Sequence, residues 1–292
     1  SKEKCRALYQ MGINRLSIGL QSTNDMELKT LGRIHSYEDF INTYTWCREA
    51  GFQNINVDLM AALPYQTVES YTTGLRKIIR LAPEHISAYS LILEEGTPFY
   101  QKYNSGCYPL PDEEQERLMY RETEQILAQA GYERYEISNY AKKGYACRHN
   151  LVYWQGGDYL GLGLGSSSYM DGVRFHNTTD FNTYVNQGAY VEDREELSVQ
   201  AKMEEFMFLG LRVMAGVSGT EFEKRFGKTM EDVYGDVLRK HEEEGLLQIE
   251  RKEDRKEAAA AEPAKGKTNI EKVMLTTNGV DVSNYVFADF LL

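Results

Sequence analysis

Apolar and polar positions along the first 140 residues alternate between two periods. Residues 2–11 carry a helical pattern stopped by Gly12. Residues 14–20 form a short apolar run ending at Gln21, and Asn24 caps a short helix reaching Leu31. Ser36, with Asp39 three residues on, opens a helix that ends at Ala50 before Gly51. An apolar run at 55–60, a Thr67-capped helix at 68–81 and a run at 86–93 follow. The order is helix and strand in strict alternation, with short connections. Strands read as apolar on both faces and separated by helices predict an α/β fold with a parallel sheet covered by helices. Residues 101–111, with Gly106, Pro109 and Pro111, read as a loop. A long amphipathic helix at 112–130 and a strand at 134–140 come next.

Beyond this the pattern changes. Residues 147–154, Cys-Arg-His-Asn-Leu-Val-Tyr-Trp, place His149, Asn150, Tyr153 and Trp154 in one short polar-aromatic stretch. A histidine can ligate iron, and aromatic rings can face a flat conjugated ligand. A buried turn with a hydrogen-bonded histidine is the plainer alternative. Tyr159–Tyr169 in sequence is Tyr-Leu-Gly-Leu-Gly-Leu-Gly-Ser-Ser-Ser-Tyr. It lacks the Gly-Lys-Ser/Thr of a phosphate loop and reads as a strand or loop that another group approaches closely. Residues 176–201 form a polar connector. Helices at 202–215, 218–226 and 230–245, then a hairpin pairing 246–250 with 273–276, predict a small winged-helix-like α+β domain over 202–292. A flexible insertion is expected at 251–267. The third helix is Glu-rich, so it reads as a packing element and not a DNA reader.

Charge and composition narrow the chemistry. The 292 residues carry a formal charge of −11, which argues against nucleic acid as a partner. No apolar run spans a bilayer and no signal peptide is visible, so no integral membrane segment is expected. The four cysteines, Cys5, Cys47, Cys107 and Cys147, lack Cys-x-x-Cys spacing and read as reduced thiols in a cytoplasmic protein. Twenty-one tyrosines predict a wet, polar-lined cavity, because a buried hydroxyl needs a partner. Each strand of the first region ends in a polar group, at Gln21-Ser22, Asp58 and Glu94-Glu95. Parallel α/β folds place their chemistry at these ends. Asp58 reads either as a ligand contact or as a paired strand end.

Several motifs stand in one order: Asn14-Arg15-Leu16-Ser17-Ile18-Gly19-Leu20-Gln21-Ser22, Leu31-Gly32-Arg33-Ile34-His35, Asn56-Val57-Asp58-Leu59, Leu63-Pro64, His85-Ile86-Ser87-Ala88-Tyr89-Ser90-Leu91 and Glu94-Glu95-Gly96-Thr97-Pro98. Together they resemble the radical S-adenosylmethionine (SAM) family of oxygen-independent coproporphyrinogen dehydrogenases (HemN-like) and their relatives, the HemW heme chaperones. The resemblance implies a partial TIM-like (β/α) barrel over 1–175 holding the heme and SAM sites, followed by the C-terminal domain. By motif, Gln21, Arg33 and Asp58 fall on SAM-contacting positions and Ile92 lines the same site. His149-Asn150-Leu151-Val152-Tyr153-Trp154 matches the His-Asn-x-x-Tyr-Trp segment of the chaperone branch. That match implies heme as ligand, His149 as candidate iron ligand, Asn150 orienting the segment, and Tyr153 and Trp154 packing on the macrocycle or supporting the loop.

The family's three [4Fe–4S] ligands, Cys-x3-Cys-x2-Cys, do not occur in the chain. They are expected upstream of Ser1, where the sequence opens inside a helical pattern and reads as partial or trimmed. Initial barrel strands missing there leave a sheet flank exposed, an association risk. Ala61-Ala62-Leu63-Pro64-Tyr65 replaces the usual Tyr-Gly-Leu-Pro, and Gly165-Ser166-Ser167-Ser168 replaces Gly-Ala-His-Ser. The implied function is heme binding and delivery to an acceptor apoprotein. The alternatives are coproporphyrinogen III dehydrogenase, or a cluster-free remnant that only binds.

Overall fold

The computed structural model describes residues 1–188, 191–252 and 270–292. They fall into two compact units, Ser1–Ala146 and Cys147–Leu292.

The first unit runs α1 (Lys2–Gln10), β1 (Leu16–Gln21), α2 (Asp25–Thr30), α3 (Tyr37–Ala50), β2 (Ile55–Ala61), α4 (Val68–Arg80), β3 (His85–Ser90), α5 (Pro98–Asn104), α6 (Glu113–Gln129), β4 (Glu133–Glu136) and β5 (Asn139–Ala141). The capping signals act as expected. Ser36 and Thr67 close capping boxes with Asp39 and Ser70, and Gly51 ends α3 in the left-handed region at φ 111°. The sheet order is β1-β2-β3-β5-β4, with β1, β2 and β3 parallel and β5 antiparallel to β3. It is an open α/β sheet with β1 and β4 at its edges.

Three expectations are corrected here. The parallel strands are not apolar on both faces. Register pairs Ser17 with Asn56, Gly19 with Asp58, Asn56 with His85, Asp58 with Ser87 and Met60 with Tyr89, so the polar residues share one face. Ile55, Val57, Leu59, Ile86 and Ala88 lie on the other, in a core with Leu20, Phe40, Cys47, Phe52, Leu75 and Ile78. The period-2 alternation is present in Asn-Val-Asp and His-Ile-Ser, but buried small polar residues disguise it. The expected strand at 134–140 is a hairpin, β4 and β5, turned at Ile137-Ser138. The expected loop at 101–111 begins inside α5, because Thr97 caps Tyr100 and Pro98 stands at the first helical position.

The second unit runs α7 (Arg148–Trp154), β6 (Ser167–Met170), β7 (Val173–Asn177), α8 (Phe181–Gln187), β8 (Val191–Glu196), α9 (Val199–Gly210), β9 (Val217–Ser218), α10 (Gly219–Phe226), α11 (Met230–Glu243), β10 (Leu247–Arg251), β11 (Ile270–Leu275), α12 (Thr277–Asp281) and α13 (Ser283–Ala288). The winged-helix-like part is α9, α10 and α11 with the antiparallel sheet β10-β11-β9, built around Met207, Leu211, Phe222, Tyr234, Val273 and Phe290. A second antiparallel sheet, β6-β7-β8, reaches into the stretch 176–201 expected as a connector, which contains the end of β7, then α8, β8 and the start of α9. Of the expected insertion 251–267, Arg251 belongs to β10, paired with Ile270, and 253–267 lies outside the described residues. No helix among the described residues is long and apolar enough to cross a membrane.

Candidate functional site

The polar face of the first unit's sheet carries a continuous hydrogen-bond network. Asn56 Nδ2 donates to Asp58 Oδ1 and to Ser17 Oγ, each at 2.7 Å. Asn56 Oδ1 lies 2.6 Å from His85 Nδ1 and accepts from Ser87 Oγ at 3.2 Å. His85 Nε2 lies 2.9 Å from Tyr135 Oη. Burial pushes His85 down to about 3, with the Arg15 charge adding to the effect, so the ring is neutral at physiological pH.

Nearer the strand ends, Tyr89 Oη donates to Gln21 Oε1 at 3.1 Å. Burial raises the Tyr89 hydroxyl above its ordinary range, the Asp58 charge adds to this, and the Arg33 charge opposes it. Three of the sequence-predicted residues, Gln21, Arg33 and Asp58, therefore act on one tyrosine hydroxyl. Gln21 is buried, Asp58 half-buried and Arg33 exposed. Ile92 lies past the end of β3 and is exposed.

Gly19 is the register partner of Asp58. A Cβ built there lies 2.8 Å from Gln21 Nε2 and 3.8 Å from Asp58 Oδ2, so any other residue would fill the space between those two groups. The backbone here is held in unusual conformations. Gln21, Ala62 and Tyr65 have φ of 73°, 56° and 64°, all beyond the sheet bulge or at the end of β2. Such left-handed non-glycine residues cluster where function constrains the chain. The loops are tied from beneath by buried Glu27. Its Oε2 accepts from Ser22 Oγ at 2.5 Å and from Gln66 Nε2 at 2.9 Å.

The second candidate set is in the second unit. His149 and Tyr153 are one helical turn apart on α7, with Tyr153 Oη 2.8 Å from His149 Nε2 and the rings edge to face at 4.7 Å. Tyr159 packs edge-on against Tyr153 at 4.5 Å. The imidazole is exposed and the Tyr153 ring half-buried. Asn150 Oδ1 accepts from Cys147 Sγ at 3.4 Å, a contact within the first turn. The Arg212 guanidinium stands 4.5 Å over the Trp154 ring, and Trp154 Nε1 is buried. Trp154 thereby anchors α7 to the segment following α9.

The tautomer of His149 matters for metal binding. If Nε2–H donates to the tyrosine oxygen, the Nδ1 lone pair is left to ligate without breaking that bond. The [4Fe–4S] cluster fares differently. The described residues hold no group of three or more His, Cys, Asp or Glu able to bind a metal. All four cysteines are free thiols, and only Cys107 is exposed. These residues do not fit a cluster.

Sequence reasoning missed Asn56, His85, Ser87, Tyr89 and Tyr135. The signal for the first four was the polar alternation within the strands. Tyr135 carried none, because a single tyrosine in a short strand does not disclose which residue it meets.

Comparison with known proteins gives a consistent picture. The radical SAM superfamily model matches residues 1–78, and the HemN C-terminal domain model matches 197–253. The chain is 38% identical over 251 residues to the heme chaperone HemW of Bacillus subtilis, covering 85% of this chain and 66% of that protein. It is 34% identical to the HemW of Lactococcus lactis, covering 100% of this chain and 73% of that protein. The HemW of Escherichia coli is 35% identical, over 81% of this chain and 61% of that protein. The chain thus spans roughly two thirds of the length of these relatives. Among solved structures, coproporphyrinogen III oxidase (HemN) from Escherichia coli, a radical SAM enzyme, superposes with a TM-score of 0.77 at 19% identity, over 100% of this chain and 67% of that one. That likeness concerns the fold.

Proposed function

Because the chain belongs to the HemW family of the radical SAM superfamily, we propose that it binds heme through α7 and passes it to an acceptor apoprotein. The observation that carries this reading is the exposed His149 imidazole, held at Nε2 by Tyr153 and backed by Tyr159. An exposed imidazole with a restrained orientation suits a ligand that must be both captured and released. A fully enclosed histidine would suit a resident cofactor better. Tyr153 and Tyr159 offer an aromatic edge to one side of a macrocycle. Asn150 and Trp154 serve to hold the helix, through Cys147 and Arg212.

The polar sheet face is the proposed SAM site. A bound SAM supplies a sulfonium and an adenosyl group. Asp58 accepts from ribose hydroxyls, Gln21 hydrogen-bonds through its amide, Arg33 pairs with the methionyl carboxylate, and Ile92 offers apolar contact. The lack of a side chain at Gly19, which lets the Gln21 amide sit close beside Asp58, fits this assignment. No step is assigned to a [4Fe–4S] cluster, whose ligands are not among these residues. The dehydrogenase alternative has in its favour only the shared fold and the match of residues 197–253 to the HemN C-terminal domain.

The test is a heme titration followed by absorption spectroscopy. The wild-type protein is expected to bind heme with a shifted Soret band. His149→Ala is expected to lose that shift and at least tenfold in affinity. An unchanged spectrum and affinity in His149→Ala would remove His149 as the iron ligand.

A further inference from the structure

The network beneath Asp58 has only one consistent arrangement of protons. A carboxylate accepts and does not donate, so the Asn56 group 2.7 Å from Asp58 Oδ1 is the amide nitrogen. Its second hydrogen goes to Ser17 Oγ. Asn56 Oδ1 must then be an acceptor for both Ser87 Oγ and His85 Nδ1. His85 is fully buried and neutral, so with its one proton on Nδ1 its Nε2 must accept. The donor to Nε2 is the Tyr135 hydroxyl. Every hydrogen bond from Tyr135 to Asp58 therefore points the same way. Asn56 makes all four of the bonds its amide can make.

The end of this chain is asymmetric. Asp58 Oδ1 is taken by the short bond from Asn56. Oδ2 has no such short bond: Ser17 Oγ stands off both oxygens, at 3.5 Å from Oδ1 and 3.4 Å from Oδ2, and Oδ2 lies on the Gly19 side, near the Gln21 amide.

We propose that Tyr135, His85 and Asn56 are positioning residues for Asp58, saturating Oδ1 from within the sheet and presenting Oδ2 to a ribose hydroxyl of an adenosyl ligand. The proposal rests on the reading of Asp58 as the ribose acceptor. The physical reason is geometric. A half-buried carboxylate with one satisfied oxygen cannot rotate without abandoning a charge-assisted bond, so its other oxygen is held ready for a ligand. Polarisation along an aligned chain strengthens each bond in it.

Two measurements test this, one without ligand. Nitrogen-15 spectra of the chain are expected to show His85 protonated on Nδ1 and bare on Nε2, the less common tautomer, and Asn56→Leu is expected to lose the Nδ1–H signal. Calorimetry with S-adenosylhomocysteine is expected to show about tenfold weaker binding in both Asn56→Leu and His85→Leu. Binding of the 2′,3′-dideoxy analogue is expected to be unchanged in these variants. His85→Gln, whose amide N–H can replace Nδ1–H, is expected to restore the wild-type affinity. A wild-type ring protonated on Nε2, or a His85→Leu protein that binds S-adenosylhomocysteine as tightly as wild type, overturns the relay. Equal wild-type binding of the two ligands overturns the ribose assignment and with it the proposal. An intact Nδ1–H signal in that case shows that the ligand, and not the geometry, was misjudged.

Discussion

The Asp58 network and the His149 helix place polar side chains for binding in opposite ways. Asp58 stands on a central strand, and its orienting partners come from three further elements, β1, β3 and β4. His149 stands on a seven-residue helix and is held by a residue of the same helix. The first arrangement costs desolvation of several polar groups, offset only if every bond is made. The second costs little, since its imidazole stays in water. The difference is one of precision against access. A strand-borne carboxylate suits a small ligand with a fixed hydroxyl pattern. An exposed, singly tethered imidazole suits a large planar ligand that has to leave again.

The sharpest way to break this comparison is acid. His85 has a folded value of about 3, far below the 6.5 of a free histidine. Between these values the unfolded chain binds the proton and the folded chain does not. The His85 contribution is therefore complete above about pH 6.5 and is lost as the pH falls toward 3. Relative to His85→Gln, the wild type is expected to lose about 3 kcal/mol more stability between pH 7 and pH 4, read from urea unfolding at both values. Parallel pH profiles for the two proteins would show that His85 is not buried neutral.

A smaller effect separates tether from ligand on α7. Tyr153→Phe keeps the aromatic edge and removes the hydroxyl at Nε2. Heme affinity is expected to fall about threefold, with the thermal midpoint within about 1 °C of wild type. A large drop in midpoint would mean that Tyr153 is a structural element of the unit and not a local tether.

The smallest effect concerns strain. The end of the Asp58 strand holds Ala62 at φ 56°, where related sequences are expected to carry glycine, whereas residues 147–154 include no positive φ. Ala62→Gly is expected to stabilise the chain by about 0.5 kcal/mol in urea unfolding, since the relief of left-handed strain outweighs the loss of one buried methyl and the added freedom of the unfolded chain. Destabilisation would show that packing of the buried Ala62 methyl is worth more than the strain.

Much of this was legible along the chain. The capping residues Ser36 and Thr67, the stop at Gly51 and the alternation of helices and strands follow from local chemistry, because a helix end needs its donors and acceptors satisfied wherever it lies. Gln21 and Asp58 were picked out by position at strand ends and by motif, and Arg33 by motif alone. The short bond from Asn56 to Asp58, the neutral His85 and the part played by Tyr135 were not. They join residues 56, 85 and 135, and depend on strand register and on which face each side chain takes. The hairpin at β4 and β5 brings Tyr135 to His85, where the sequence suggested one continuous strand. For His149 the division is different. Its partner is four residues away, so the contact follows once the segment is helical, and only the anchoring of Trp154 by Arg212 needed the fold. What the sequence determined by itself is the set of elements and the motif-bearing residues, since both rest on short-range periodicity and capping. What the tertiary structure decided is the direction of the hydrogen bonds beneath Asp58, since burial and register together leave each polar atom a single role, donor or acceptor.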